Sequence, residues 1–219
     1  MTKTKMMKRE SLRRLFPSFM GWGCACAFFL LLLTSCSSET AEYDPYHDWQ
    51  ARNAEWYSQI ADSARRGGSD WLMLKTLTKS PDAQSGVTAD SICVHILHRG
   101  TGSVSPTYSD SVRISFRGWL MPAQQADGRT EELIFTQTYY GDYDPVLAAP
   151  QLAGVQSFTP GFATALQYMV EGDDWMVYIP QQLAYGATVK GTIPAYSTLR
   201  FRIQLVAIYP LGTKIPDWK

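Results

Sequence analysis

Residues able to transfer groups or electrons are sparse in this sequence and badly spaced for it. Of the three histidines, His47 falls on a helical pattern near the N-terminus. His95 and His98 stand three apart on a strand pattern, hence on opposite faces. They make no metal site. The Asp142-Tyr143-Asp144 pair lacks the further oxygen ligands that calcium takes. No Gly-rich phosphate loop occurs, and no Ser/His/Asp or Cys/His arrangement is legible. What remains is Tyr185, a lone phenol in a loop that also carries the Ile193-Pro194 pair, between two strand patterns rich in aromatic and branched residues.

Those strand patterns are regular. Trp175, Val177 and Ile179 alternate with Asp174, Met176 and Tyr178; Leu199, Phe201, Ile203 and Leu205 alternate with Arg200, Arg202 and Gln204. Period 2 predicts half-buried strands, one apolar face each, as in an antiparallel sheet covered on one side. Ile92-Val94-Ile96 and Val112-Ile114-Phe116 alternate in the same way, with Arg99-Gly100-Thr101-Gly102 turning the first of them. Pro122–Glu132 reads as a loop, as do the 21 residues Gln137–Ser157, which are rich in Tyr, Asp, Pro and Ala. A loop that long is usually functional or mobile. Ahead of the strands, Asp44-Pro45 predicts a helix start, Trp49, Trp56, Ile60 and Ala64 share one face, and Arg65-Arg66-Gly67-Gly68 predicts its end with a left-handed glycine cap. Packing of that stripe on the chain's own domain is expected over packing on a partner.

Longer stretches carry a family likeness. GDDWMVYIPQQLAYG (172–186), then GTIPAYSTLRFRIQLVAI (191–208), and before them FTPGFATALQYM (158–169), closely resemble the C-terminal half of FKBP-type peptidyl-prolyl isomerases. SFRGWL (115–120) and Leu133-Ile134-Phe135-Thr136 resemble two further strands of that family. The resemblance implies an α+β fold, an antiparallel sheet wrapped around a short helix, here over residues 87–210 with a helical extension in front. It implies prolyl cis–trans isomerisation on proline-containing polypeptides, with no cofactor and no metal. By position, Phe116, Phe135, Phe158, Phe162 and Phe201 would wall the proline pocket with Ile193. The Tyr185 hydroxyl and the Thr159 backbone N–H would hold the chain beside it, so that Tyr185, Phe135 and Thr159 would carry the catalysis.

The sequence also departs from the family. Thr136 stands where the acidic residue is usual, Phe116 where that acid's tyrosine partner is usual, and Phe162 where a tryptophan is usual. The two first changes are mutually consistent, because a phenol with no acid to engage has no buried partner. The flap aromatic aligns best with Ala149, and Tyr139, Tyr140 and Tyr143 are candidates to replace it. Two functions therefore stand open: an isomerase assisting the folding of exported proteins, or an FKBP-like module that binds proline-containing segments with little catalysis. A third is a structural lipoprotein subunit that sets Trp49 and Trp56 against a partner.

The N-terminus bears on location. Residues 1–35 hold six of the 20 Lys+Arg and one of the 20 Asp+Glu, and lead into the apolar run Phe19–Leu33. Fifteen residues are too few for the ~20 that span hydrocarbon. Leu33-Thr34-Ser35-Cys36 resembles the lipobox of bacterial lipoproteins, which implies a signal peptide over 1–35, lipidation of Cys36, and a tether over 36–86 that includes the helix. Several acyl chains hold a protein at a membrane where one is marginal. The expected place is the bacterial cell envelope, anchored and facing the periplasm or the exterior. Beyond residue 35 the chain has 14 basic and 19 acidic residues, a net charge of −5 that offers no footprint for nucleic acid. It keeps Cys93 as its only cysteine besides Cys36, so no intramolecular disulfide is expected.

Overall fold

The four stretches that alternate apolar and polar residues all form strands. A computed structural model describes residues 44–78, 88–125 and 127–218. The signal segment and the Cys36 lipidation site expected from the sequence lie outside these residues. In chain order the elements are α1 (Trp49–Arg66), β1 (Trp71–Lys75), β2 (Ser91–His98), β3 (Ser111–Trp119), β4 (Ala123–Gln124), β5 (Thr130–Glu131), β6 (Ile134–Gln137), β7 (Gln151–Gly154), α2 (Pro160–Tyr168), β8 (Asp174–Ile179) and β9 (Leu199–Tyr209). Single 3-10 turns lie at Thr88–Asp90, Val155–Ser157 and Gln181–Leu183.

Seven strands make one sheet in the order β1-β2-β8-β9-β3-β6, with β7 also paired to β3. Every pairing is antiparallel. The inner face carries Ile92, Val94, Ile114, Val177, Ile179, Leu199, Ile203 and Leu205, all buried in one core with α2. Burying a side chain of this kind contributes roughly 1.5–3 kcal/mol, which makes this layer the main source of stability. The short helix α2 starts at Pro160, whose fixed φ suits a first helical turn, and buries every residue from Gly161 to Leu166. A Cβ on Gly161 would lie 2.3 Å from Ile179 Cγ2, so only glycine lets α2 rest this closely on β8.

The outer face is not left to solvent, contrary to the one-sided sheet expected from the alternation. α1 covers its β1-β2-β8 end, where Tyr57, Ala61 and Ala64 bury against Cys93, Met73, Trp71 and Tyr178. Trp49 and Trp56 pack on the chain's own sheet: Trp49 joins the main core and Trp56 meets Tyr178 edge-on at 6.0 Å. The alternation misleads here because the polar members facing α1 are Tyr, Cys and Met, which bury readily.

Other boundaries differ from expectation. The helix begins at Trp49 rather than at Pro45, because the Asp44 carboxylate and carbonyl accept the N–H groups of Tyr46 and His47 and close a turn first. Gly67 ends the helix in extended conformation (φ −65°, ψ 155°), not left-handed. Glycine is needed there for space, since a Cβ would meet Trp71 at 2.5 Å. The sheet reaches back to Trp71, ahead of the start expected near residue 87. The segment 137–157, expected as loop, contains β7, and the loop 122–132 contains the β4–β5 hairpin.

Candidate active site

β3 and β6 bring the first wall of the site. Phe116 points to the inner face of β3, and Phe135 lies on β6, one residue before Thr136, which pairs with Gly118. Gly118 is a fixed requirement. A Cβ there would fall 2.6 Å from Phe201 and 2.8 Å from Phe135, so these two rings converge only over glycine. Phe201 comes from β9 and Phe162 from the first turn of α2. Phe162 is the hub: it meets Phe116 edge-on at 5.7 Å, Phe201 edge-on at 4.9 Å, and stacks on Phe158 at 4.5 Å. Phe135 meets Phe201 edge-on at 5.4 Å. Edge-to-face pairs of this kind add about 0.5–1.5 kcal/mol beyond burial, which stiffens the walls.

The rings enclose a cavity of about 480 Å³, lined by Phe116, Phe135, Thr136, Phe158, Thr159, Phe162, Tyr185, Ile193 and Phe201, with Ser157, Lys190 and Leu199 completing it. All nine residues expected at the site line this one cavity. The last three were not expected. Ser157 and Lys190 sit in turns without periodicity, and the one signal for Lys190 is its place in the same loop as Tyr185. A larger depression of about 580 Å³ runs along the β4–β5 hairpin, but its lining of Gln125, Asp127, Arg129, Thr130, Glu131 and Glu132 has no aromatic or aliphatic wall.

The loop after β8 sets Tyr185. A 3-10 turn at Gln181–Leu183 leads into it, and Gly186 N–H donates to Gln181 O at 2.9 Å. The far side of the loop is clamped by Tyr196 N–H to Gly186 O at 2.7 Å, with Tyr196 itself left-handed at φ 61°. Lys190 and Ile193 exchange both backbone bonds, at 3.0 and 2.9 Å, which seats Ile193 in the wall. The Tyr185 hydroxyl makes no hydrogen bond with any described residue, and neither does the Thr159 N–H at the start of α2. Both are donors on a mostly apolar cavity.

Phe116 and Thr136 both line the cavity, as diagonal rather than opposed neighbours. Gly118 lies opposite Thr136, while Phe116 exchanges bonds with Thr138 through its N–H and carbonyl. No substitute for the flap aromatic reaches the cavity. Tyr139 lies under the Arg117 guanidinium and meets Tyr143 edge-on, Tyr143 borders the separate hollow beside Asp174 and Gln204, and Tyr140 is solvent-exposed. Cys93 is buried beneath α1, 3.5 Å from the Tyr57 phenol, and burial pushes its thiol up, which disfavours the thiolate.

Comparison with known proteins agrees with this arrangement. A family model described as FKBP-type peptidyl-prolyl cis-trans isomerase matches residues 102–206. A Trypanosoma cruzi protein named macrophage infectivity potentiator is 30% identical over 141 residues, 63% of this chain and 62% of that protein. The outer membrane protein MIP of Legionella longbeachae is 32% identical over 114 residues, 52% of this chain and 42% of its own length. The chain thus spans about two to three fifths of these curated relatives. Among solved structures, a peptidyl-prolyl cis-trans isomerase from Pseudomonas syringae pv. tomato superposes with TM-score 0.51 at 24% identity, covering 77% of this chain and 98% of that one. At that identity the likeness speaks for the fold.

Proposed function

This chain belongs, through residues 102–206, to the FKBP-type peptidyl-prolyl cis-trans isomerase family, and from that premise we propose that it isomerises X-Pro bonds in exported polypeptides. Amide resonance raises a rotational barrier of about 18–20 kcal/mol, and an unaided X-Pro bond turns over in roughly tens to hundreds of seconds. Whatever binds the twisted imide better than the planar one lowers that barrier. The twisted imide has lost its charge separation, so an apolar pocket favours it over the planar form. In this reading Phe116, Phe135, Phe158, Phe162, Ile193 and Phe201 take the proline ring. The Tyr185 hydroxyl and the Thr159 N–H donate to carbonyls of the flanking chain and hold it while the bond rotates. No proton or electron moves.

The observation that carries this reading is the pair of donors, Tyr185 hydroxyl and Thr159 N–H, without partners among the described residues on an aromatic-walled cavity. A structural core pairs most such groups; Trp175 Nε1 and Ser115 Oγ are buried without a described partner as well, but neither residue lines this cavity. The alternative, a proline-segment binding module with little catalysis, is favoured by Thr136 and Phe116, which replace the acid and phenol usual in the family. A protease-coupled isomerisation assay on residues 37–219 separates the two. Turnover of X-Pro peptides supports the isomerase, saturable peptide binding without turnover supports the module, and the absence of both turnover and binding defeats both.

The proposal extends to location. The basic start, the apolar run and Leu33-Thr34-Ser35-Cys36 support a lipid anchor at Cys36, and one similar protein is named an outer membrane protein. Among the described residues no helix is long and apolar enough to cross a membrane. Labelled palmitate should enter the wild type and be absent from Cys36→Ala; equal labelling of both rejects the anchor.

A further inference from the structure

Among the described residues, Lys190 is the single charged one on the cavity. No carboxylate of a described residue lines it, and at position 136, where the family usually has an acid, the side chain is neutral. On the adjoining strand the cations are neutralised: Arg200 pairs with Glu132 and Arg202 with Asp174. The Lys190 ammonium has no ion-pair or hydrogen-bond partner among the described residues, and the residue is exposed. Its backbone is nonetheless fixed, because the paired bonds to Ile193 and the left-handed Gly191 (φ +57°) close a tight turn. A pinned Cα at the rim, carrying a flexible four-carbon stem, puts an unpaired positive charge beside whatever chain enters the pocket.

We propose that Lys190 sets substrate choice, selecting prolines that have an Asp or Glu side chain within two residues of the ring. The inference rests on the proline-binding reading of the same cavity. The chain's overall charge works against it at long range, since the net −5 beyond residue 35 repels acidic peptides. Contact with Lys190 outweighs that repulsion because charges beyond a Debye length, about 8 Å at physiological salt, are largely screened. An exposed ion pair gives a modest preference, about 1.4- to 5-fold.

The test compares kcat/KM for matched peptides with Glu, Ala or Lys at either of the two positions before or after the proline, at about 0.15 M salt and at about 1 M salt, where the Debye length falls to about 3 Å. Wild type should favour a Glu peptide over its Ala counterpart by about 1.4- to 5-fold at about 0.15 M salt. High salt should abolish the preference, Lys190→Gln should remove it, and Lys190→Glu should shift it toward Lys peptides. Ratios are read within each variant, so an overall loss of rate does not confuse them, and the salt series needs no variant. If Ala peptides turn over but the Glu/Ala ratio is near one, or is the same in Lys190→Gln, the charge selection is wrong and the isomerase reading stands. If peptides bind without turnover, the same ratios are taken from dissociation constants. Absence of both binding and turnover for every peptide overturns the selection together with the reading beneath it.

Discussion

Beneath α1, on the outer face of the sheet, buried polar atoms find partners. The Trp49 indole N–H donates to Ser197 Oγ at 2.9 Å, the Thr198 N–H donates to Asn53 Oδ1 at 2.8 Å, and the Tyr57 hydroxyl donates to Ser91 O at 2.5 Å. On the inner face, at the Phe162 cavity, the Tyr185 hydroxyl and the Thr159 N–H have none among the described residues, and Lys190 lacks a counter-ion there. Both regions are aromatic and both join helix to sheet, so composition does not tell them apart. Satisfaction does. A paired buried group stabilises a fold by about 0.5–1.5 kcal/mol and is costly to strand, whereas an unpaired donor on an open cavity costs little while solvent reaches it and is free to meet a ligand. The contrast predicts which substitutions move stability and which move function.

Phe162 tests where the contrast breaks, since it belongs to both the core and the cavity. Phe162→Ala leaves a void under Phe116, Phe201 and Phe158. It should cost about 3–5 kcal/mol in chemical denaturation and abolish peptide turnover as well. A loss below about 1 kcal/mol would mean that the ring serves the pocket without supporting the core, since Phe→Ala in a packed core normally costs at least about 3 kcal/mol.

Asn53→Ala sharpens the outer side. It strands the buried Thr198 N–H and should cost about 1–3 kcal/mol. The protein should melt earlier with no change in its preference among peptides. Unchanged stability would show that water or another acceptor replaces the amide.

Tyr185→Phe sharpens the inner side with the opposite signature. Stability should stay within about 0.5 kcal/mol, as for a surface change away from packed or paired groups. Transition-state or ligand binding should weaken by about 0.5–1.5 kcal/mol, one hydrogen bond. A melting shift with unaltered peptide kinetics would reverse the two roles and remove Tyr185 from the site.

Much of this is legible in the sequence, for reasons that differ by element. The strands at 92–97, 112–116, 174–179 and 199–205 follow from alternation, because one face of each meets α2. β7 does not: Gln151-Leu152-Ala153-Gly154 lacks alternation and is a strand only because β3 offers it a free edge beyond Phe116. Trp49, Trp56, Ile60 and Ala64 mark the face of α1, but three of the five residues it buries are Asn53, Tyr57 and Ala61, whose partners are distant in sequence. For the site, family likeness locates the nine expected lining residues, where periodicity alone gives only core. Lys190 escapes both, since charge on an irregular loop says nothing until the loop is seen to close over a cavity.

The smallest expected effect probes why this cavity has no acid. Thr136→Asp puts a carboxylate into a half-buried position beside phenylalanine, where an ion without a partner is unfavourable or takes up a proton. Alone it should destabilise the protein and improve turnover little. Phe116→Tyr adds a phenol on the neighbouring strand, and a hydrogen bond to an ionised acceptor is stronger than a neutral one. The two positions are diagonal across β3 and β6 rather than directly opposed. Diagonal side chains lie at the edge of reach, so the coupling should be about 0.2–1 kcal/mol, the range of cross-strand pairs. The double variant should therefore regain part of the stability lost in Thr136→Asp and turn over X-Pro peptides faster than wild type. Lys190 gives the cycle a further readout. A carboxylate on the cavity repels an acidic peptide side chain, so the Glu/Ala peptide ratio should fall toward one in both variants that carry the Thr136→Asp substitution. Strict additivity in stability and rate would show that the phenol does not reach the carboxylate. The paired absence of acid and phenol would then be two separate changes, and the residue-by-residue likeness to the family would end at β6.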